Sequence, residues 1–213
     1  MPADVAGWQE SKWPPFIAIL ASAALYMLLP GSLILGGGTL RWLVPGIEVV
    51  MLVVVFSPPV YEGDNRRHLM IALVGVATLA NASSIVLLVH GITTEKGFEG
   101  KSLIGAAIAV WLTNVIVFAL WFWEVDGGGP RRRAAAPPGP HDFLFSQYTM
   151  PEPWNWRPEF LDYLYVGFTN STSFAPADTL PLGRTTKALM ALQSVLSLAV
   201  VIIVLSRAVS ILH

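Results

Sequence analysis

The sequence predicts an all-α integral membrane protein of about five transmembrane helices, with a short re-entrant helix between the fourth and the fifth. The first observation is composition: 54% of the 213 residues are hydrophobic and 13% are charged, whereas soluble domains carry roughly 25% charged residues. The second is that whole stretches of about 20 residues lack charge, and that length spans a bilayer core. The third is that tryptophans, which prefer the headgroup layer, fall at segment ends: Trp13, Trp42, Trp121 and Trp123.

Five apolar segments give the predicted spans. Only one cation, Lys12, precedes the first segment, which is also longer than the apolar core of a signal peptide, so we expect it to be retained. The second segment is short and contains Pro45-Gly46 and Glu48. Its length favours a span, although a re-entrant segment stays open. In order, the segments are Pro15–Leu35, Trp42–Phe56, Leu69–His90, Ser102–Trp123 and Ala188–Leu212.

Composition also excludes several classes of function. The chain has no cysteine, which removes disulfides, thiolate metal sites and cysteine nucleophiles. A net charge of −1 gives no case for binding nucleic acid. The histidines His90 and His141 have no partner spaced for metal or triad chemistry. We therefore expect no enzyme, no metal and no cofactor.

The most informative stretch lies in the loop of about sixty residues between the fourth and fifth segments, from Trp156 to Arg184. Pro158 suits the first turn of a helix, and acidic side chains are favourable there. We predict a helix over residues 159–169, about three turns long and too short to cross a membrane. A polar, non-helical stretch and then a full-length apolar helix are expected to follow.

This order of segments resembles the two-helix pore module of the potassium-channel superfamily. The filter there reads T-T-V-G-Y-G-D, followed by a Pro and a Gly-Arg, and Thr172, Asp178 and Gly183-Arg184 match that pattern here. The resemblance covers Ser102 to Leu212, about half of the chain. The whole chain is also similar to uncharacterised five-helix bacterial membrane proteins. The resemblance implies a pore-like module at 102–213, preceded by a peripheral three-helix region at 1–101, and assembly as a homotetramer.

The filter itself departs from that pattern. A potassium filter aims its carbonyls down the axis by placing glycines in conformations that are closed to most other residues. Ala175 and Ala177 stand in those places, where left-handed geometry costs about 1–2 kcal/mol per residue. Pro176 between them has a fixed φ and no N–H. We therefore expect no potassium-type filter and no potassium selectivity.

A different constriction remains open at the same place. The polar run formed by residues 169–173 would give rings of hydroxyls and amides in a tetramer, and such uncharged rings would discriminate weakly between ions. Phe174 would be an anchor behind the loop or a hydrophobic gate, and Asp178 would favour cations at the mouth. The other reading is that the run only caps the re-entrant helix. The members of the run are Thr169, Asn170, Ser171, Thr172 and Ser173.

Two further sets of polar residues lie in apolar segments. Gln193, Ser194 and Ser197 form one stripe on the last helix and are candidates for lining a cavity, because the inner helix lines the cavity in a pore module. Glu48 is an intramembrane carboxylate, a residue that is often functional. Its other reading is that it lies near a helix end and either snorkels to the interface or pairs with Arg41. For Asn81 and Asn114, we expect ordinary hydrogen bonds between helices.

The positive charges bear on topology. Five spans place the N-terminus and the long loop on the same side, which carries nine of the thirteen cations. The positive-inside rule then favours a cytoplasmic position for the long loop. Without the cations of the long loop itself, however, this side has three cations and the opposite side has four. The nine are Lys12, Arg66, Arg67, Arg131, Arg132, Arg133, Arg157, Arg184 and Lys187, and the four are Arg41, Lys96, Lys101 and Arg207.

These observations predict a multi-pass protein of the bacterial cytoplasmic membrane that forms a homotetrameric, weakly selective pore. Its partners would be copies of itself, the lipid bilayer and small ions. The alternative is a non-conducting membrane scaffold or accessory subunit that has the fold without the filter. A transporter is less favoured, because Pro30-Gly31 and Pro45-Gly46 lie near one loop and define no midplane site.

Overall fold

A computed structural model of the chain describes residues 10–36, 41–57, 60, 65–93, 100–151, 156–173 and 178–211. These residues are mostly helical, as predicted. Short 3₁₀ turns cover Gly31–Leu33, Asp126–Gly128 and Ser146–Thr149. The described helices are α1 (Trp13–Met27), α2 (Leu43–Phe56), α3 (Arg66–Thr93), α4 (Gly100–Val125), α5 (Pro130–Ala135), α6 (Phe160–Ser173) and α7 (Arg184–Ile211).

Three of these helices, α3, α4 and α7, are long and apolar enough to cross a membrane. By contrast, α1 and α2 have 15 and 14 residues, fewer than the roughly 20 that span a hydrocarbon core. The prediction of a first helix that reaches Leu35 is wrong, because α1 ends at Met27. Pro30 lies just beyond this end, and the residue before a proline is disfavoured in helical geometry.

The fold is organised around α4. Helices α1, α3, α6 and α7 all pack against it, while α2 packs on α1 and α3. The larger hydrophobic cluster surrounds the end of α4, where Phe118, Phe122 and Trp123 meet Tyr163 of α6. Ala18 and Ile19 of α1 belong to the same cluster. Side chains from both predicted regions, 1–101 and 102–213, therefore share one core.

The helix α6 lies in the angle between α4 and α7. Its first turn is held by Asp162, whose Oδ2 accepts a hydrogen bond of 2.7 Å from the backbone N–H of Glu159. Gly167 permits close packing on α4, because a Cβ at that position would lie 2.9 Å from the carbonyl oxygen of Val115. A glycine at this crossing therefore sets how closely α6 approaches the central helix.

A two-stranded ribbon ties the long loop together. Strand β1 (Phe143–Phe145) pairs with β2 (Thr179–Pro181) in antiparallel register, with Leu144 opposite Leu180. The ribbon joins the chain before α6 to the chain after it. It thereby closes the segment that contains α6 into a loop at one end of the helix bundle.

Candidate functional site: the polar network between α4, α6 and α7

The polar run at residues 169–173 lies on α6, which continues to Ser173. The prediction that the helix stops at Thr169 is wrong, because residues 170–173 are helical as well. The reason is local: the hydroxyls of Thr169, Thr172 and Ser173 donate to carbonyls three or four residues earlier in the same helix. Ser and Thr satisfy themselves in this way within a helix and do not require an extended chain.

Two members of the run face the interior. Asn170 and Ser171 are each 1% exposed, and both bind the side chain of Gln193 on α7. Asn170 Nδ2 donates to Gln193 Oε1 over 2.8 Å and to the carbonyl of Met190 over 3.0 Å. Gln193 Nε2 in turn donates to Ser171 Oγ and to the carbonyl of Gly167, both over 2.8 Å.

The network continues from α7 into α4 and α3. Asn114 of α4 donates through Nδ2 to Ser197 Oγ over 2.8 Å and to the carbonyl of Gln193 over 3.3 Å. Its Oδ1 accepts from Asn81 Nδ2 of α3 over 3.5 Å. The expected interhelical role of Asn81 and Asn114 is thus confirmed. Ser194 joins at the edge, with Oγ 3.4 Å from Asn170 Oδ1.

This polar network therefore links four helices inside a single chain. Gln193, Ser197 and Asn114 are fully buried, and each donates or accepts hydrogen bonds to protein groups. A buried polar group that is fully paired does not need water. Chemically, the arrangement holds the helices together through paired hydrogen-bond donors and acceptors.

The other part of the predicted constriction lies at the surface of the protomer. Thr172, Ser173 and Asp178 are exposed, at the end of α6 and just beyond it. Residues 174–177, which include Phe174, Ala175, Pro176 and Ala177, lie outside the described residues. The structure thus separates the predicted site into an inward half, Asn170 and Ser171, and an outward half.

A buried aspartate fixes the base of α6. Asp126, at the end of α4, accepts a hydrogen bond of 2.5 Å at Oδ2 from the Tyr163 hydroxyl. Its Oδ1 accepts from the backbone N–H groups of Asp142 and Phe143 over 2.8 and 3.1 Å. Asp142 Oδ2 accepts in return from the N–H of Gly127 over 3.0 Å. One carboxylate thereby joins α4, the β-ribbon and α6.

Glu10 binds the same region from the N-terminal side. Its Oε1 accepts from Trp123 Nε1 and from the N–H of Phe160, over 2.8 and 2.7 Å, and its Oε2 lies 3.7 Å from Arg133 Nη2. Burial raises the pKa of Glu10 from 4.5 to about 7, against the opposing effect of Arg133. The chain before α1 and the long loop therefore lie at the same end of the protein.

A second buried ion pair lies close by. Arg66, at the start of α3, places Nη1 3.2 Å from both carboxylate oxygens of Glu124 on α4. Its guanidinium also lies 5.2 Å from the centre of the Trp123 ring. Trp123 is 1% exposed and forms part of this buried cluster, while its place at the headgroup layer stays a prediction.

Sequence reasoning missed these charged contacts because they join segments that are distant in the chain. Arg66 and Glu124 are separated by 58 residues, and Glu10 and Phe160 by 150. A signal was nonetheless present. Glu124 and Asp126 directly follow the predicted apolar segment Ser102–Trp123, and carboxylates at such a position need a partner when they are buried.

Glu48 stands apart from both clusters. It is 3% exposed on α2, and its Oε2 is buried without a hydrogen-bond partner in the part of the chain that the structure describes. The predicted pairing with Arg41 does not occur among these residues, because Arg41 donates to the carbonyl of Leu29. Glu48 is thus a buried carboxylate that the fold does not explain.

The described residues contain no group of three or more His, Asp or Glu side chains that could hold a metal ion.

Comparison with known proteins adds no relative. No protein-family profile, curated protein or solved structure matches the chain.

Proposed function

We propose that the chain is a multi-pass protein of the bacterial cytoplasmic membrane that acts as a non-conducting scaffold or accessory subunit with a channel-like core. One observation carries this proposal: the polar side chains expected to line a path bind one another within a single chain. Asn170, Ser171 and Gln193 are buried and paired. The apolar helices α3, α4 and α7 support the membrane location.

The energetics of the polar network favour a sealed core. A water-filled path along α7 would have to separate Gln193 from Asn170 and Ser171, and Asn114 from Ser197. Leaving a buried donor or acceptor unpaired costs about 1–3 kcal/mol per group. Interhelical hydrogen bonds in membranes average less, at about 0.6 kcal/mol, but several would open together. A closed network is therefore the stable state of the protomer.

The proposal is tested by ion flux in liposomes. Purified protein is reconstituted at known density, and the release of trapped potassium and sodium is compared with that from empty liposomes and from liposomes holding a known cation pore. We expect wild-type protein to release neither ion above the empty background. Flux that rises in proportion to protein density would contradict the scaffold function.

The second candidate is a homotetrameric, weakly selective pore, and the exposed half of the predicted constriction favours it. Thr172, Ser173 and Asp178 lie at the protomer surface, where four copies around an axis would form polar rings. One loop per chain cannot enclose a path, so this function requires closed symmetry. The exposed apolar face of α7, which includes Val195 and Ile202, offers surface for such packing.

The mass of the protein in detergent and its ion flux in liposomes together separate the scaffold from the pore. A pore predicts tetramers in detergent and a conductance with no preference for potassium over sodium. Phe174→Ala should raise that flux if the ring blocks the path, because an apolar constriction excludes ions by dewetting. Thr172→Val should change ion preference and leave assembly intact. A monomeric mass would remove the pore, and silent tetramers would favour the scaffold.

A further inference from the structure

Four exposed cations lie at the ends of two helices that are long enough to cross a membrane. Arg131 and Arg132 lie on α5, shortly after α4 ends at Val125. Arg184 is the first residue of α7, and Lys187 lies one turn further along it. All four side chains are exposed. Helices α4 and α7 have 26 and 28 residues. They are therefore about 40 Å long, so their ends reach the headgroup layers of a bilayer. We call these four residues the basic patch.

Contacts around Asp142 bring the two parts of the basic patch to the same end of the protein. Asp142 Oδ2 accepts a hydrogen bond of 3.0 Å from the N–H of Gly127, in the turn after α4. The Asp142 carbonyl oxygen accepts a hydrogen bond of 3.3 Å from the N–H of Gly183, the residue before α7. The Cδ of Arg132 lies 2.7 Å from the position that a Cβ of Gly128 would take, so this side chain covers the same turn. The cations of α5 and those of α7 therefore lie on either side of Asp142.

The basic patch keeps a positive charge. Among the described residues, Arg132, Arg184 and Lys187 form no ion pair with an Asp or Glu side chain. Asp142 supplies one negative charge beside them, and one of its carboxylate oxygens binds the backbone of Gly127. Four cations next to one carboxylate leave a surface that attracts anions.

Two exposed leucines lie beside the basic patch. Leu180 on β2 is 58% exposed, and Leu182, between β2 and α7, is 46% exposed. Leu182 is held next to Asp142, whose carbonyl oxygen accepts a hydrogen bond of 2.8 Å from its N–H. At a membrane surface, cations bind lipid phosphates while apolar side chains enter the boundary between headgroups and acyl chains. This end of the protein presents both kinds of side chain together.

We propose that the basic patch binds the headgroup of an anionic phospholipid, such as phosphatidylglycerol, while Leu180 and Leu182 contact the upper part of its acyl chains. Charge complementarity carries the proposal. A choline headgroup adds a cation that the basic patch repels, so the patch selects an anionic lipid over a zwitterionic one. The positive-inside rule concerns the side of the membrane on which cations lie and does not require that they bind one kind of lipid. The inference rests on the membrane location in the proposed function, and it is independent of whether the protein conducts ions.

The test counts bound lipids by native mass spectrometry. The full chain in a non-ionic detergent is titrated with dioleoyl phosphatidylglycerol or with dioleoyl phosphatidylcholine. Four proteins are compared: wild type, Arg184→Gln, Lys187→Gln and Lys12→Gln. Glutamine keeps much of the side-chain length and removes the charge. Lys12→Gln is the matched control, because Lys12 is an exposed cation that precedes α1. Its substitution changes the net charge equally, outside the basic patch.

We expect the first phosphatidylglycerol to bind wild type about ten-fold more tightly than the first phosphatidylcholine. Arg184→Gln and Lys187→Gln should each weaken phosphatidylglycerol binding by about five-fold and leave phosphatidylcholine binding unchanged. Lys12→Gln should keep the wild-type preference. Equal affinity of wild type for the two lipids, or an equal loss in Lys12→Gln, would overturn the inference.

A competition measurement separates a lipid site from a site for free phosphate. Glycerol 3-phosphate carries the charged group without acyl chains, so we expect it not to displace phosphatidylglycerol at equal concentration. Displacement at equal concentration would show that the anion alone is bound, and it would overturn the lipid site. Should Arg184→Gln fail to fold, Lys187→Gln and this competition still decide.

Failure of this inference is distinguishable from failure of the proposed function. Absent lipid preference in an intact chain that needs detergent for extraction would remove the lipid site alone. Extraction of the chain from cells without detergent would remove the membrane location. Ion flux in liposomes would remove the scaffold while leaving the lipid site in place.

Discussion

The polar network depends on Gln193, because its side-chain amide binds groups on α6 and its backbone carbonyl accepts a hydrogen bond from α4. The sequence placed Gln193, Ser194 and Ser197 on one polar stripe, and the structure keeps them on adjoining turns of α7. Their partners were not predictable from the stripe. Gln193 and Asn170 are 23 residues apart in the chain, and only the packing of α6 against α7 brings them together.

The first prediction concerns Gln193→Leu. Leucine keeps much of the volume but removes the donor to Ser171 and Gly167 and the acceptor for Asn170. We expect a loss of about 1–3 kcal/mol in the free energy of unfolding, seen as a lower apparent melting temperature in detergent at a fixed scan rate. The control is Ser194→Ala, which removes one 3.4 Å contact and should change little. A loss for Gln193→Leu that is no larger than the small change expected for Ser194→Ala would mean that the side chain of Gln193 contributes nothing to stability.

The second prediction concerns Glu10 and pH. Burial raises its pKa from 4.5 to about 7, so the folded state holds the Glu10 proton over a window in which the unfolded state has lost it. The contribution of Glu10 to stability therefore falls as pH rises through that window, from about pH 5 to about pH 7. Glu10→Gln does not titrate. Its apparent melting temperature should decline less than that of wild type between these pH values.

Glu159→Gln is the matched control for Glu10→Gln, because Glu159 is exposed next to the same cluster. Its pH profile should lie much closer to that of wild type than to that of Glu10→Gln, because Glu159 makes the smallest of the contributions to the pKa of Glu10. If Glu10→Gln and wild type show the same slope, Glu10 carries no raised pKa in the folded protein, and the slope arises from other groups.

At the scale of elements, α6 shows what a sequence pattern can and cannot give. Acidic residues near Pro158 predicted a short helix in the right place, and Asp162 does hold its first turn. The end was predicted four residues too early because five consecutive polar residues are typical of a loop. Asn170 and Ser171 are stabilised in the helix by Gln193, and such tertiary contacts override weak local preferences.

The third prediction concerns the crossing of α6 and α4. In Gly167→Ala the new Cβ would lie 2.9 Å from the carbonyl oxygen of Val115, a backbone atom that cannot turn away. The two helices must separate, and we expect a loss of about 1–3 kcal/mol in stability. Gly105→Ala on α4 is the control, because no atom lies within 4 Å of its Cβ.

The two alanine variants are expected to change stability in opposite directions. An alanine in place of an exposed helical glycine stabilises a helix by about 0.5–1 kcal/mol, so Gly105→Ala should be neutral or more stable than wild type in the same thermal assay. A Gly167→Ala protein that is as stable as Gly105→Ala would show that the α6–α4 contact is looser than described.

At the scale of the molecule, hydropathy placed a helix in each of the five predicted apolar segments, because that signal is local and strong, and three of these helices are long enough to cross a membrane. The arrangement around α4 was not predictable, since it depends on contacts such as Asp126 with Tyr163 and Arg66 with Glu124. The contact of Asp126 with Tyr163 also closes the long loop onto the bundle.

The last prediction concerns the side of the membrane on which this anchored end lies. Glu10 contacts Phe160 and Arg133, so the N-terminal segment and the long loop must be on one side. The chain has no cysteine, and single cysteines therefore report position without a background. Ser11→Cys and Met150→Cys lie at exposed positions near this end, and Leu35→Cys lies at an exposed position in the turn after α1.

We expect a membrane-impermeant maleimide to label Ser11→Cys and Met150→Cys in inverted vesicles and Leu35→Cys in intact spheroplasts, because the positive-inside rule places the cation-rich side in the cytoplasm. The reverse pattern would keep the fold and invert its orientation. Labelling of Ser11→Cys and Met150→Cys from opposite sides would contradict the contacts of Glu10, and with them the arrangement of the whole molecule.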